Sequence, residues 1–419
     1  MILSGARIVL GLRKVAGAFL TAALLPLSTL AVRRSNFWVF GHQGGLFAGN
    51  SKYLFLWISL HRPDIRAVWI TTDQKTRLTI RNGGFESHRR WSLQGISATL
   101  RAKVFVYCHG VSDVNSRLSG GAFLVNLWHG VGIKATMFGD KTGIVYRSQK
   151  YADSFFGRML FYDLLKLPDI VASTSDFMQQ HFSEQFSLPR ERCPQIGYPR
   201  LDPLLDLDLR NTAVEIDRRA GFEFNHSRFD NVIVYMPTWR DSGRSFFSDA
   251  LPDLGRVSSA LEKCNAVLYV KLHPWTKESL PTTEFSNIIR WPDEIEVYTY
   301  LDRVNALITD YSSVLYDYIY GNGSGIVLYT FDIGDFKSKD RALLYSFEEN
   351  TIGLRISTFD ALCDAIASGQ VFGSCEGADH LRDRFWGKWE GAASPRVVEC
   401  VELTLSTSTT KEGTRCLIY

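Results

Sequence analysis

The sequence predicts an α/β protein whose two doubly wound halves face a central cleft. Short apolar runs alternate with longer amphipathic runs from Phe37 onward, which is the pattern of strands and helices in a mainly parallel sheet. The pattern restarts after the turn-rich residues 197–203 and the charged residues 206–219, so we expect the junction between the halves there. A chain of 419 residues, 45% of them hydrophobic, can bury two such cores.

Nine apolar runs are expected to form strands. The first half contains five of them, at residues 37–40, 67–71, 104–108, 123–127 and 170–173. The second half contains four, at residues 232–236, 267–270, 306–309 and 326–329. We divide the chain into a membrane-associating segment (1–35), a first domain (36–205), a second domain (206–395) and a C-terminal tail (396–419). In such a fold a ligand binds beyond the carboxyl ends of the strands.

Residues 15–32 carry no charge and are flanked by two basic residues on each side. The stretch is barely long enough to span a bilayer, Pro26 interrupts it, and the balanced flanking charge indicates no orientation. We therefore expect an interfacial or re-entrant membrane anchor. A spanning helix, an uncleaved signal-like segment and a buried helix are the alternatives.

The overall charge argues against nucleic acid as a partner. The net charge is only +3, and no basic run is interleaved with regularly spaced aromatic residues. The seven cysteines are scattered, odd in number and without metal-ligand spacing, which is typical of reduced thiols in the cytosol. An anchored protein of this kind is expected at the cytoplasmic face of the cell membrane.

The stretch with the most specific chemistry is residues 305–318, NALITDYSSVLYDY. An apolar strand gives way to helical spacing, so a helix is expected to begin near Ser312 and Ser313, after a turn that contains Asp310. Free backbone N–H groups and the helix dipole make such a start a phosphate site, and two hydroxyls add donors. Asp317, about one turn further, suits a ribose-binding carboxylate. Alternatively, Ser312 only caps the helix and Asp317 is a surface charge.

A histidine follows another predicted strand. In NLWHGVGIKA, His129 stands beside Gly130 at the strand end, with Lys134 five positions on. A histidine there suits a general base that reaches into a cleft, although a lone histidine is more often structural. The glycine-rich residues 41–45, GHQGG, follow the first strand, where backbone amides can approach a ligand. Such glycines also serve tight turns.

The second half repeats this arrangement. YMPTWR places Thr238 and Arg240 after one strand, and KLHP places His273 after the next. An arginine fork matches the geometry of a phosphate group. With Ser312 and Ser313, these strand ends predict a polyphosphate site, although each alone is compatible with ordinary loop chemistry.

Several nucleotide and metal motifs are missing from the sequence. It contains no GxxxxGK[ST] string and no HExxH, and its glycines 321, 323 and 325 precede a strand instead of following one. Asp206 and Asp208 form a DxD, but they lie in the charged linker with no strand leading into them. These observations disfavour P-loop hydrolysis, a dinucleotide site and a metal site.

Taken together, the motifs resemble those of the CDP-glycerol glycerophosphotransferases and related polyol-phosphate transferases, which build teichoic acids and capsule polymers. Seven strings carry the resemblance in order: GNSKYL (49–54), NLWHGVGIKA (126–135), GYPRLD (197–202), YMPTWR (235–240), KLHP (271–274), LITDYSSVLYDY (307–318) and FWGKWEGAASPRVVE (385–399). Val131 and Gly132 replace a hydroxyl or proline usual in the family, and TIGL (351–354) replaces a Pro-Gly-Pro-like string. These departures concern the donor alcohol and the acceptor pocket.

The resemblance implies a two-domain GT-B fold of Rossmann-like halves, no metal or other cofactor, and a position on the inner membrane surface. It implies that His129 and His273 are catalytic, and that the CDP-alcohol is held by Arg240, Ser312, Ser313 and Asp317. The predicted substrate site also includes the strand-end residues Gly130, Lys134, Thr238 and Asp310.

The expected reaction moves an alcohol phosphate from CDP-glycerol or CDP-ribitol to a hydroxyl of a polyol-phosphate or glycan acceptor, lipid-linked at the membrane, and releases CMP. His129 is the expected base. Arg240, His273 and the helix start at Ser312 are expected to stabilise the phosphate charge. The rival functions are a GT-B glycosyltransferase that uses a nucleotide sugar and a non-catalytic membrane-associated scaffold.

Overall fold

The computed structural model describes residues 2–224, 226–240, 246–272, 276, 285–339, 343–388 and 391–410. Within these residues the chain forms two parallel sheets of six strands each. The first sheet contains β1 (Arg34–Phe40), β2 (Arg66–Thr71), β3 (Ser87–Arg89), β4 (Ala102–Tyr107), β5 (Phe123–Asn126) and β6 (Ile170–Val171). The second contains β7 (Asn231–Met236), β8 (Ala266–Val270), β9 (Ile288–Arg290), β10 (Ala306–Thr309), β11 (Ile326–Tyr329) and β12 (Leu354–Ile356).

Helices cover the faces of both sheets, as parallel strands require. In the first half they are α1 (Ile2–Thr29), α2 (Gly49–His61), α3 (Gln74–Asn82), α4 (Leu93–Arg101), α5 (Ile144–Ser148), α6 (Phe155–Leu160), α7 (Tyr162–Leu165) and α8 (Asp176–Phe186). From there on they are α9 (Leu207–Arg219), α10 (Phe247–Ala250), α11 (Leu254–Lys263), α12 (Val314–Gly321), α13 (Ile333–Lys339), α14 (Phe359–Ala367), α15 (Ala378–Trp386) and α16 (Ala393–Thr410).

Both sheets have the same strand order. The first reads β3-β2-β1-β4-β5-β6, and the second, read from its β9 edge, reads β9-β8-β7-β10-β11-β12. In each sheet the direction of winding reverses at the central pair, β1 with β4 and β7 with β10. Loops diverge at such a reversal and leave a crevice beyond the carboxyl ends of the strands.

Each of the nine predicted strands overlaps an observed strand, and β10 and β11 have the predicted bounds. The strands that the sequence does not predict are β3, β9 and β12. Each is three residues long and lies at the edge of its sheet. A strand this short shows no clear periodicity, and an edge strand needs less apolar sequence than a central one.

The two halves are packed against each other as well as joined. The turn Pro199–Leu204 leads into α9, so the second half begins near the predicted junction. Asp202 in this turn accepts hydrogen bonds from two backbone N–H groups at the start of α16, at 2.6 and 2.7 Å. α16 then returns to the first half, where Glu402 pairs with Arg62 at 2.6 Å. Residues 396–410 of the predicted tail therefore belong to a helix that fastens the halves together.

α1 lies along the first half with small residues facing inward. Ala18 and Ser28 are buried, and Ser28 Oγ accepts a hydrogen bond from the N–H of Gly120 at 2.9 Å. Larger apolar residues point outward, since Phe19 and Leu27 are each 63% exposed. In the part of the chain that the structure describes, no helix is both long and apolar enough to cross a membrane.

Candidate active site

A cavity of about 420 Å³ lies between the carboxyl ends of the two sheets. Loops that follow strands of the first sheet contribute His109 and His129, which we call the histidine wall. Loops that follow β7 and β10 contribute Thr238, Ser312 and Ser313, which we call the hydroxyl wall. The cavity therefore lies where the strand order predicts a ligand.

Three adjacent strands, β1, β4 and β5, end in loops that carry His42, His109 and His129. The rings of His109 and His129 are stacked, with 4.4 Å between their centres and 11° between their planes. His42 meets His109 edge-on, with 4.8 Å between ring centres. We call the three rings the histidine stack. Among the described residues, no group of three or more His, Cys, Asp or Glu side chains is arranged to hold a metal ion.

The loop after β5 holds His129 in one conformation. Trp128 has a φ of 53°, a left-handed conformation that is rare for a bulky residue. Asn126 Oδ1 accepts a hydrogen bond from the Trp128 N–H at 2.8 Å. Asn50 Nδ2 donates to the carbonyls of Leu127 and Trp128, both at 3.0 Å. These bonds hold the strained backbone that presents the histidine to the cavity.

His129 has the tautomer and the pKa of a general base. Its Nδ1 lies 3.2 Å from the carbonyl oxygen of Cys108, which only accepts, so Nδ1 carries the proton and Nε2 keeps its lone pair. The residue is exposed to the cavity. The cavity lies deep between the two halves, so protein groups replace much of the water around the ring. This burial and the nearby charge on His109 lower the pKa of His129 well below its ordinary value of 6.5. The ring is therefore neutral at neutral pH.

The hydroxyl wall is organised by Asp310. Its Oδ1 accepts hydrogen bonds from the N–H groups of Thr238, at 2.8 Å, and Tyr311, at 2.6 Å, which joins the loops after β7 and β10. Thr238 lines the cavity, and its Oγ1 is buried without a hydrogen-bond partner among the described residues. A buried hydroxyl without a partner indicates a place for a ligand or a water.

Ser312 and Ser313 line the cavity just before α12, where the sequence predicts a helix start. Ser312 Oγ accepts from the N–H of Val314 at the long distance of 3.4 Å, and Ser313 makes no capping bond. The serines therefore do little as caps. A Cβ added to Gly130 would lie 2.8 Å from Ser313 Oγ, so the two walls meet where only a glycine fits.

Arg240 is not among the residues that line the cavity, so the structure does not support its predicted contact with phosphate. The side chain is fully buried, with Nε and Nη2 donating to Asp332 at 2.9 and 3.0 Å. Nη2 also donates to Asp310 at 2.9 Å, and Nη1 donates to the carbonyl of Thr238 at 2.6 Å. Two carboxylates thus occupy the guanidinium and neutralise its charge. These bonds use four of the five N–H donors of the guanidinium and support the loop that carries Thr238.

Asp317 is also withdrawn from the cavity. Its oxygens accept from Nη2 of Arg200 at 2.7 and 2.6 Å, and its side chain is 0% exposed. Arg200 Nη1 donates to the carbonyl of His129 at 2.6 Å. The ion pair therefore joins α12, which follows the hydroxyl wall, to the backbone of the candidate base. Neither a ribose-binding carboxylate nor a surface charge agrees with this position.

Two predicted site residues remain, Lys134 and His273. Lys134 lines the cavity on the loop that follows His129, with its Nζ 5.4 Å from the centre of the Phe336 ring. His273 lies outside the described residues. Its neighbour Lys271 donates to three carbonyls between residues 292 and 295, and burial lowers the pKa of Lys271 to about 8.

Arg200 and His109 are site residues that the sequence analysis misses. Arg200 lies in the GYPRLD string, but its partner Asp317 is 117 residues away, so no local pattern connects them. His109 follows β4 and precedes a glycine, just as His129 follows β5 and precedes Gly130. Histidine-glycine pairs at the ends of two predicted strands are the signal that finds His109.

Comparisons with known proteins identify the family. Residues 27–403 match the family model of CDP-glycerol:poly(glycerophosphate) glycerophosphotransferase. A teichoic acid poly(glycerol phosphate) polymerase of Bacillus spizizenii is 25% identical over 376 residues, which are 85% of this chain and 89% of the polymerase. The teichoic acid ribitol-phosphate polymerase TarK of Staphylococcus aureus is 28% identical over 283 residues, which are 66% of this chain and 51% of TarK.

The fold is shared with a solved structure of the wall teichoic acid polymerase TagF, with a TM-score of 0.70, 20% identity and 97% of both chains covered. This likeness confirms the expected GT-B arrangement of two facing α/β halves. The family match extends over most of the chain and confirms the resemblance carried by the seven motifs. The chain therefore belongs to the CDP-glycerol:poly(glycerophosphate) glycerophosphotransferase family.

Proposed function

We propose that the protein transfers glycerol phosphate, or a related polyol phosphate, from a CDP-activated donor to a hydroxyl of a teichoic-acid-like acceptor and releases CMP. The observation that carries the proposal is the pairing of the walls. A neutral histidine with an unprotonated Nε2 shares one cavity with the hydroxyls of Thr238, Ser312 and Ser313. The first wall suits proton transfer and the second suits phosphate binding.

The reaction forms one P–O bond and breaks another. The acceptor hydroxyl gives its proton to Nε2 of His129 while its oxygen attacks the phosphorus that carries the polyol. The bond from that phosphorus to the bridging oxygen breaks, and its electron pair leaves with CMP. His129 then releases the proton to solvent, to which its side chain is exposed.

The hydroxyl wall stabilises the negative charge of the donor. Thr238, Ser312 and Ser313 donate hydrogen bonds, and the first N–H groups of α12 add the positive end of the helix dipole. Lys134 adds a cation from the loop that follows the base. We keep His273 as a proposed phosphate ligand on the strength of the family resemblance.

The relatives leave the alcohol open between two possibilities. The Bacillus spizizenii relative is a glycerol phosphate polymerase, and TarK is a ribitol-phosphate polymerase. We propose CDP-glycerol or CDP-ribitol as the donor, and a polyol-phosphate or glycan chain carried on a lipid as the acceptor.

The proposed assay supplies CDP-glycerol, CDP-ribitol and a panel of nucleotide sugars, each with a polyol-phosphate acceptor. Acceptor-dependent release of CMP, lost in His129→Gln, is the expected result. Release of a nucleoside diphosphate from a nucleotide sugar would instead indicate a glycosyltransferase. Binding of a CDP-alcohol without any turnover would indicate a scaffold.

A lipid-linked acceptor requires the protein to work at the cytoplasmic face of the membrane, and we propose that α1 anchors it there. The outward apolar residues of α1 continue onto α6, because the rings of Phe19 and Phe156 lie 6.0 Å apart and Phe155 is 65% exposed. Exposed apolar side chains on neighbouring helices suit an interfacial anchor.

Outward-facing variants test the anchor without disturbing the core. Phe19→Glu combined with Leu27→Glu should move the protein from the membrane to the soluble fraction, with turnover of a soluble acceptor analogue kept. Leu207→Glu changes a leucine of the second half that is 65% exposed, and it should leave fractionation unchanged. A double variant that stays on the membrane would contradict the anchor.

A further inference from the structure

His109 connects the base to a buried carboxylate. Its ring stacks on His129 at 4.4 Å, and its Nδ1 lies 3.5 Å from Oδ2 of Asp113. Asp113 is 3% exposed and also accepts from the N–H groups of Cys108, at 3.2 Å, and His109, at 2.9 Å. The backbone thus fixes the carboxylate beside the His109 ring, at ion-pair distance from an Nδ1 that has no hydrogen-bond partner among the described residues.

The charged and titratable groups around the stack come from several elements. They are Asp113 beside His109, His42 on the loop after β1, Glu296 of the second half near His42, and Arg200 with its partner Asp317 near His129. Arg90 donates to the carbonyls of Ser112 and Asp113. Of these groups, His109 has the largest electrostatic effect on His129, followed by Arg200 and His42.

A CDP-alcohol brings two phosphates close to His129. Their negative charge favours the protonated imidazole, and a protonated His129 cannot accept the proton of the acceptor hydroxyl. A positive charge stacked on the base opposes this effect.

We propose that His109 is a positioning residue for the transfer reaction: paired with Asp113 and stacked on His129, its positive charge keeps the base unprotonated while the donor is bound. This inference rests on the proposed role of His129 as the base. It assigns His109 and Asp113 a role through that base, without contact to the reacting atoms.

The test compares wild type with His109→Phe, which keeps a flat ring in the stack and removes its charge. The acid limb of the kcat profile, which reports the donor-bound enzyme, should move to higher pH by about one unit, as expected for a screened charge at the stacking distance. At alkaline pH, where His129 is neutral in both proteins, kcat should change little. His61→Phe removes a remote histidine that pairs with Asp206 at 3.0 Å, and it should leave the profile unchanged.

A second measurement does not require turnover. Diethyl pyrocarbonate acylates unprotonated imidazole, so the pH dependence of its reaction with His129, read by peptide mass spectrometry, reports the protonation of that ring. The midpoint should rise in His109→Phe, in the same direction as the kinetic limb. If no CDP-alcohol is turned over but the midpoint shifts, the proposed function fails and the coupling between the two histidines stands.

An unchanged midpoint in both measurements would overturn the proposal and leave His109 a packing role only. His109→Gln is the second variant, because it removes the charge and keeps a polar side chain beside Asp113; the same shift is expected. If neither variant folds, as shown by the absence of a cooperative unfolding transition, the His109 ring is needed for packing. That result would also overturn the proposal.

Discussion

The histidine wall and the hydroxyl wall occupy equivalent edges of two sheets that have the same strand order, yet their chemistry differs. The first presents titratable rings, with His109 on the loop after β4 and His129 beside the left-handed Trp128 on the loop after β5. The second presents small hydroxyls and backbone N–H groups, with Arg240 withdrawn from the cavity. The shared fold therefore supplies two equivalent edges, and loop residues decide that one suits proton transfer and the other suits anions.

The walls also differ in how they are supported. The hydroxyl wall is held from within its own half, by Arg240 with its two aspartates. The histidine wall is tied to the other half by Arg200, which bonds to the carbonyl of His129 and to Asp317. Damage to the first support should stay local, whereas damage to Arg200 should affect both walls.

The largest expected effect comes from removing the base. His129→Ala should lower kcat by about 10²- to 10⁴-fold, which is the usual effect of losing a positioned proton acceptor. Calorimetric affinity for the CDP-alcohol should change little, because the proposed donor site is the hydroxyl wall. His88→Ala, at a histidine that pairs with Glu86 at 2.8 Å, is the control and should keep full turnover. Near-normal turnover of His129→Ala would place the base elsewhere.

The next effect concerns the tie between the walls. Arg200→Met should lower the free energy of unfolding by about 3 to 5 kcal/mol, because it leaves Asp317 as an unpaired buried charge. Adding Asp317→Leu should restore much of this stability, since both charges are then gone. Turnover should stay low in the double variant because the carbonyl of His129 has lost its anchor. Urea unfolding and kcat, measured side by side, separate the two contributions.

A second buried ion pair between the halves is the matched control. Lys52 lies 3.5 Å from Asp217, and both side chains are almost completely buried. Lys52→Met should destabilise the protein as a broken buried pair does, but the folded fraction should keep its turnover. Full recovery of turnover in the variant that combines Arg200→Met with Asp317→Leu would show that the Arg200–Asp317 ion pair serves stability alone.

A smaller effect is expected at the hydroxyl wall. Changing Ser312 and Ser313 together to Ala should raise the donor KM or lower kcat, because hydrogen bonds to phosphate are worth about 1.5 to 3 kcal/mol each. Stability should fall little, because the capping bond of Ser312 is long, at 3.4 Å. Unchanged donor kinetics would mean that the serines do not contact the donor.

Two threonines extend this test. Thr238→Val should weaken binding of the CDP-alcohol with little loss of stability, because Thr238 Oγ1 has no hydrogen-bond partner in the described part of the chain. Thr309→Val should do the reverse, because Thr309 Oγ1 donates to the carbonyl of Met236 at 2.7 Å. Equal effects of the two changes on donor KM would contradict a specific role of Thr238.

Patterns within about ten residues predict this protein well. The apolar runs locate the central strands, and the spacing of Val314, Leu315 and Tyr318 locates α12 and the serines before it. Because topology brings strand ends together, those patterns also place His129 opposite the hydroxyls. The same spacing puts Asp317 on the face of α12 that carries Val314, which indicates burial and not a ribose contact.

Long-range charge pairing is what the patterns cannot predict. Arg240 was a reasonable phosphate ligand by spacing, but Asp332, 92 residues further on, takes its donors. Whether a cation is available to a ligand depends on which carboxylates fold against it. That information belongs to the tertiary structure.

The smallest effect is expected when the pH falls through the range in which an ordinary histidine titrates. Burial in the cleft, and then the charge on His109, hold the pKa of His129 well below 6.5. The kcat/KM of the free enzyme should therefore stay nearly flat around pH 6.5 and fall only at lower pH, where Nε2 binds a proton. An acid limb centred near 6.5, as for an unperturbed histidine, would contradict a base of this kind.

The same pKa difference makes a matching prediction for stability. On acidification the unfolded chain binds a proton at this histidine near pH 6.5, whereas the folded protein binds it only at lower pH. The free energy of unfolding should therefore decrease as the pH falls below 6.5, and this part of the decrease should be missing in His129→Gln. Urea unfolding of both proteins across this range measures the difference. Parallel stability curves would mean that the folded state does not disfavour the charged form of His129, and the neutral base of the histidine wall would then lose its physical cause.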